Sequence, residues 1–293
     1  MPELRFCRLG QTFFAEASDI DLRAVRDAAT LTSIREAMDS HSVLLFRRQP
    51  FSDEEQLAFA QRLDGQLHAR TSSAAIAPNR FGNAALTDIS NVNAAGEIVA
   101  LDDRKRMGGL ANRLWHTDAS FEDPAGRYSM LSARVIPPVR ADTEFADMRA
   151  AWDALPPEEQ ARLEGLRVRH SIVHSRQTLG FDFSEAEKAR LPGAEHPLVL
   201  THARTGRRSL YLASHAERIV GWPVPEGRLL LQDLTEHATQ PAFRWRHEWQ
   251  PQDFLIWDNR STLHRARPFD DRRYRREMRR TTTLDLPFTI TGA

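Results

Sequence analysis

The chain has 293 residues, 41% hydrophobic and 27% charged, enough for one large domain or two small ones with a sizeable core. Lys+Arg and Asp+Glu balance at 40 each, so total charge points to neither nucleic acid nor a membrane surface. Cys7 is the single cysteine, which excludes an intrachain disulfide and any thiolate metal site built by one chain; with no signal-like N-terminus and no run of roughly 18 apolar residues, a cytoplasmic location is expected.

In chain order, the apolar run Ser42 to Arg47 before Pro50 predicts a buried strand. Ser52 with Glu55 three residues on is a capping box, and Leu57, Phe59, Ala60 and Leu63 give the following helix its apolar positions. Residues 70–112 are rich in Ala, Asn, Gly and Ser with weak periodicity, which predicts a long loop region with one short strand and a candidate active-site lid. Arg127 to Ile136 reads as a strand stopped by Pro137-Pro138, Glu144 to Leu155 as a helix, and Pro156 as the start of another. His196 to Ala213 predicts two strands joined at Thr205-Gly206. Pro225 to Thr239 predicts a helix with Leu229, Leu230, Leu234 and Ala238 on one side.

Three further strands follow at Ala242 to Trp249, Asp253 to Asp258 and Arg275 to Leu284. Strands at both ends with helices between them predict a mainly β protein, a sandwich or jelly roll decorated by α-helices. The expectation is a single domain over residues 1–293.

Trp115-His-Thr-Asp118 is the most informative stretch. In an extended segment His116 and Asp118 point to the same side, offering an imidazole and a carboxylate to one divalent metal. His264 follows the apolar strand Asp253 to Asn259, at the mouth of the core, and is the candidate third ligand. Two His and one carboxylate form the facial triad of non-haem iron(II) oxygenases, which leaves positions open for cosubstrate and oxygen. His170, His174, His202 and His215 lie among polar residues and are expected at the surface or in hydrogen bonds.

Arg275-Arg-Glu-Met-Arg-Arg280 is the second informative stretch. If Met278 faces the core, the strand period of two turns Arg276 and Arg280 inward with it. A buried unpaired charge is costly, so each inward guanidinium needs an anion, and carboxylate fits it bidentately.

These residues resemble the family of taurine and 2,4-dichlorophenoxyacetate dioxygenases. The resemblance runs through most of the chain and includes Ile89-Ser-Asn-Val92, Leu114 to Asp118, Ala125 to Ser132, Asp142-Thr-Glu-Phe145, Asp147 to Ala151, Glu236 to Thr239 and Trp257 to Arg260. It implies a double-stranded β-helix (jelly-roll) core with Fe(II) held by His116, Asp118 and His264, and 2-oxoglutarate and O2 as cosubstrates. Thr143 and Arg276 would bind 2-oxoglutarate, although one extra residue between His264 and the arginines leaves Arg275 open as an alternative. Arg280 would bind the acid group of a small-molecule carboxylate. The phenoxyacetate likeness implies hydroxylation alpha to the carboxylate of an aryloxyalkanoate, such as phenoxyacetate or a chiral 2-phenoxypropionate of herbicide type. His68, Arg104 and Asn112 are candidates to touch substrate.

A taurine, sulfonate or alkyl-sulfate dioxygenase is the alternative within the same mechanism. A zinc hydrolase would leave Thr143 and Arg276 without roles. Neither nucleic acid nor membrane is expected as a partner, and a homo-oligomer is compatible with the composition.

Overall fold

The computed structural model describes residues 4–69 and 80–288. The chain enters through β1 (Phe6–Arg8), β2 (Ala15–Ala17), helix α1 (Ala28–His41), β3 (Val43–Phe46) and helix α2 (Asp53–Asp64). Then come β4 (Thr87–Ser90), α3 (Arg104–Gly109), the long β5 (Gly126–Val135), β6 (Thr143–Asp147), α4 (Met148–Asp153) and α5 (Pro157–Leu163). The middle section holds β7 (Arg167–His170), α6 (Ile172–Gln177), α7 (Glu185–Ala189), β8 (Ala194–Pro197), β9 (Val199–Thr201), β10 (Arg208–Leu210) and β11 (Ala216–Ile219). Helix α8 (Val224–Ala238) leads into β12 (Arg244–His247), β13 (Phe254–Asp258), β14 (Thr262–Ala266) and β15 (Glu277–Leu284).

Seven strands form the main sheet in the order β1-β2-β3-β13-β5-β15-β4, and β12-β6-β14 form a second sheet. Side-chain alternation sorts the main sheet into two faces. Val43, Leu45, Leu131, Leu255, Trp257 and Met278 join Phe145 of the second sheet in one buried cluster. Leu44, Phe46, Met130, Phe254 and Ile256 turn the other way and pack on α1 and α2. The outer face of the second sheet, through Ala146 and Leu263, packs with Met148, Trp152, Leu230, Leu231 and Leu234. This is a double-stranded β-helix, a jelly roll with helices on its outside. Among the described residues no helix is long and apolar enough to cross a membrane.

Ser52 caps α2 as expected, with the reciprocal Ser52–Glu55 capping box formed. Three expectations need correction. Glu144 to Asp147 belong to β6, and the helix starts at Met148, because β6 is held between β12 and β14 while Asp147 caps the helix. In α8 the buried leucines are Leu230, Leu231 and Leu234, and Leu229 is exposed, one 100° step off the packed face. Residues 80–112 carry β4 as expected but also α3, capped by Asp103; residues 70–79 lie outside the described residues.

Candidate active site

The segment after Leu114 forms a single antiparallel bridge with β14. His116 N donates to His264 O at 3.0 Å, and His264 N donates to His116 O at 2.8 Å. The bridge brings the two imidazoles to 4.1 Å between ring centroids, inside the mouth of the roll. Asp118, two residues on, shares the side of His116. His116 Nε2 lies 4.0 Å from Asp118 Oδ1, and His264 Nε2 lies 3.7 Å from Asp118 Oδ2. One ligand atom from each residue lies within 4.8 Å of the others, and all three residues are buried.

Electrostatics prepare the donors. His116 Nδ1 is 2.8 Å from Leu114 O, so Nδ1 carries the proton and Nε2 keeps its lone pair. Burial pushes His116 down to about 4, and burial with the neighbouring His116 pushes His264 well below the ordinary imidazole value. Burial opposes the charge on Asp118, but Arg280 and then the two histidines outweigh it and hold the carboxyl at about 2. Two neutral imidazoles and one ionised carboxylate are the protonation states a divalent metal needs, with no thiolate present to favour a softer ion.

A layer behind the ligands was missed in the sequence. Asn259 Oδ1 accepts from Asp118 N and from Trp257 Nε1, both at 3.0 Å. Its Nδ2 donates to Ser129 Oγ at 2.9 Å, and Ser129 Oγ donates to Asp118 Oδ2 at 2.7 Å. Thr117 Oγ1 donates to Asn259 O at 2.6 Å. Asp118 is thereby oriented through both its backbone and its carboxylate. Ala119, directly after it, adopts φ 56°, the left-handed conformation that turns the chain away from the site.

Arg276, Arg280 and Thr143 line the same pocket as the three candidate ligands. Arg276 is buried, its Nε has no hydrogen-bond partner, and burial alone lowers it to about 10. Its guanidinium lies 6.0 Å from the centre of the Trp249 ring, whose Nε1 donates to Thr143 Oγ1 at 2.9 Å. Arg280 ion-pairs with Asp118. Arg275 points elsewhere: its side chain is 51% exposed and bonds Glu277 at 2.6 Å. His68 and Asn112 line the pocket. Arg104 does not; it bonds Glu187 at 2.8 Å on the outside and stacks over Phe181. His170 and His215 are both buried, and His215 lines the pocket with Phe121 and Arg176. Their polar sequence neighbours concealed this, because the residues that bury them come from other parts of the chain.

A jelly roll that gathers two histidines and a carboxylate at ligand distance beside an arginine-lined pocket defines a non-haem iron(II) oxygenase site. The chain matches the taurine catabolism dioxygenase TauD, TfdA family over residues 6–282, and it belongs to that family. It is 49% identical over 274 residues to the alpha-ketoglutarate-dependent 2,4-dichlorophenoxyacetate dioxygenase of Cupriavidus pinatubonensis, covering 93% of this chain and 95% of the relative. It is 34% identical to the (S)-phenoxypropionate/alpha-ketoglutarate dioxygenase of Sphingobium herbicidovorans, covering 92% and 91%. The crystal structure of AAD-2 with Mn(II) and N-oxalylglycine superposes with a TM-score of 0.90 at 41% identity, covering 96% of this chain and 97% of that one.

Proposed function

We propose that this chain is an Fe(II)- and 2-oxoglutarate-dependent dioxygenase that hydroxylates the carbon alpha to the carboxylate of an aryloxyalkanoate. The observation that carries the reading is one pocket lined by the His116–Asp118–His264 triad, by Arg276 and Arg280, and by the apolar side chains of Ile89, Leu110, Phe121 and Phe269. The relatives' named substrates, 2,4-dichlorophenoxyacetate and (S)-phenoxypropionate, are aryl ethers of small acids and suit such a pocket.

In this reading His116 Nε2, Asp118 and His264 hold iron. Thr143 Oγ1 and the Arg276 guanidinium hold 2-oxoglutarate, whose distal carboxylate supplies the anion that buried Arg276 lacks among the described residues. Arg280 keeps Asp118 ionised until metal takes over that charge, and then takes the acid group of the substrate. Bound iron, with 2-oxoglutarate and O2, supplies oxidative decarboxylation to succinate and carbon dioxide and the oxidising power to convert C–H into C–OH. The protein's task is to aim one C–H at that centre: the arginines fix the acid end and the apolar wall fixes the ring. Hydroxylation of the ether carbon of a phenoxyacetate gives a hemiacetal, which collapses to a phenol and glyoxylate; a 2-phenoxypropionate gives a phenol and pyruvate. The reaction calls on neither nucleic acid nor membrane, in keeping with an enzyme of the cytoplasm.

The test is a purified, iron-loaded assay with 2-oxoglutarate and 2,4-dichlorophenoxyacetate. Equimolar 2,4-dichlorophenol and succinate are expected. Succinate release driven by taurine or an alkyl sulfate, with no phenol from the phenoxy acid, would replace the substrate class and keep the oxygenase.

A further inference from the structure

Arg176 also lines this pocket, and it differs from its neighbours in its partners. Arg176, near the end of α6, is 6% exposed. Both of its hydrogen-bond partners are neutral: Nη1 donates to His215 Nε2 at 3.1 Å and to Ser175 Oγ at 3.5 Å, and Nε is buried without a partner. Among the described residues no carboxylate ion-pairs with it. Asp118, whose charge it feels at longer range, is already paired with Arg280.

Because arginine only donates, the tautomer of His215 is fixed. Arg176 donates to His215 Nε2, so His215 carries its proton on Nδ1 and donates to Ser120 Oγ at 3.2 Å. Ser120 Oγ also lies 3.0 Å from His170 Nδ1. Burial and then Arg176 keep His215 neutral, and burial keeps His170 neutral. Phe121 packs edge-on against the His215 ring at 4.8 Å between centroids and holds it in place. This hydrogen-bonded group orients the guanidinium and contains no anion.

Of the other arginines that line the pocket, Arg106 and Arg113 pair with Asp271 and Arg267 pairs with Glu144. Asp118 matches Arg280, and the distal carboxylate of 2-oxoglutarate matches Arg276. Arg176 remains a desolvated cation, which is unfavourable unless a ligand brings the opposite charge. We propose that Arg176 is a second anion-binding group of the substrate subsite, gripping the substrate's acid together with Arg280, with His215 as its positioning residue. The identity of that acid rests on the aryloxyalkanoate reading; the need for an anion rests on Arg176 itself. Such a grip favours an acid over an uncharged analogue, because the analogue leaves Arg176 without a counter-charge.

The test is equilibrium binding to protein loaded with Mn(II) and N-oxalylglycine, so that no turnover occurs. 2,4-Dichlorophenoxyacetate is compared with the uncharged 2-(2,4-dichlorophenoxy)ethanol. Arg176→Met should weaken the acid roughly tenfold to a hundredfold, the scale of a lost hydrogen bond between charged groups. The alcohol and N-oxalylglycine should bind as in the wild type, and the Tm of ligand-free protein should not fall. Arg176→Lys keeps the charge but loses the planar fork, so it should recover part of the acid affinity; it also carries the test if the methionine variant does not fold. Unchanged acid affinity in Arg176→Met, or equal losses of acid and alcohol with a lowered Tm, would overturn the proposal. If the wild type binds no phenoxy acid, the same variants are titrated with taurine and hexyl sulfate. A tenfold loss there keeps Arg176 as an anion site and replaces the aryloxyalkanoate reading; no loss with any anion overturns both.

Discussion

Ser129 has one hydroxyl and three polar neighbours: it donates to Asp118 Oδ2, accepts from Asn259 Nδ2, and lies 3.1 Å from Thr282 Oγ1. Ser129→Ala removes the bond to the ligand while leaving strand β5 intact. Metal affinity should fall by about 10- to 100-fold, measured by competition with a chelator, with little change in the unfolding midpoint. His116→Ala and Asp118→Ala should abolish turnover and weaken iron binding far more. Arg276→Leu should raise the KM for 2-oxoglutarate strongly and leave iron affinity alone; unchanged 2-oxoglutarate affinity would remove its assigned role. At this scale the sequence makes the triad readable, since His116 and Asp118 sit at strand spacing and His264 follows a marked strand. Asn259 and Ser129 are 130 positions apart in the chain, and no local pattern announces that they meet behind Asp118.

Among the elements, the start of β5 is set by how closely it passes the ligand segment. A Cβ on Gly126 would lie 2.9 Å from Thr282 Cγ2, 3.1 Å from Asp118 O and 3.3 Å from Ala119 Cβ. Gly126→Ala should therefore push β5 off the Asp118 turn, costing about 1–3 kcal/mol of stability and weakening metal binding together with it. By contrast, Ser52→Ala at the capped start of α2 should cost about 1 kcal/mol with no effect on metal affinity, since that helix packs on the outer face. The pair of variants, followed by denaturant unfolding and metal titration, separates fold from site. The capping box was legible because it is a local hydrogen-bond pattern. The strand at Glu144–Asp147 was not: Ala146, Met148, Ala151 and Trp152 have the composition of a helix, and pairing with β12 and β14 overrides it. Arg280 lines the pocket two residues after buried Met278, as strand alternation leads one to expect. Arg276, by contrast, stands just before β15 and a register shift separates Glu277 from Met278, so its burial is not a product of the strand period.

For the molecule as a whole, the jelly roll buries several imidazoles in the neutral state. Burial, and then His196, lower His170 from 6.5 to about 3. The folded state therefore takes up this proton less readily than the unfolded chain. Its stabilising contribution is complete above about pH 6.5 and is lost as the pH falls from there toward 3. The unfolding free energy of metal-free protein should drop through that window, and His170→Asn should lessen the slope by up to about 1.4 kcal/mol per pH unit. An unchanged slope in the variant would show that His170 is not the buried neutral group described. The layered architecture was readable from strands at both chain ends, whereas the burial of His170 and His215 depends on contacts made only once the roll has closed.

The central claim, that this pocket holds iron and 2-oxoglutarate beside a phenoxy acid, is tested most directly without oxygen. Fe(II)-loaded protein is titrated anaerobically with 2-oxoglutarate and then with 2,4-dichlorophenoxyacetate while the visible spectrum is followed. The account predicts a weak charge-transfer band on adding 2-oxoglutarate, lost in Arg276→Leu, and a shift of that band when the phenoxy acid binds. Iron bound with no band at saturating 2-oxoglutarate would contradict it.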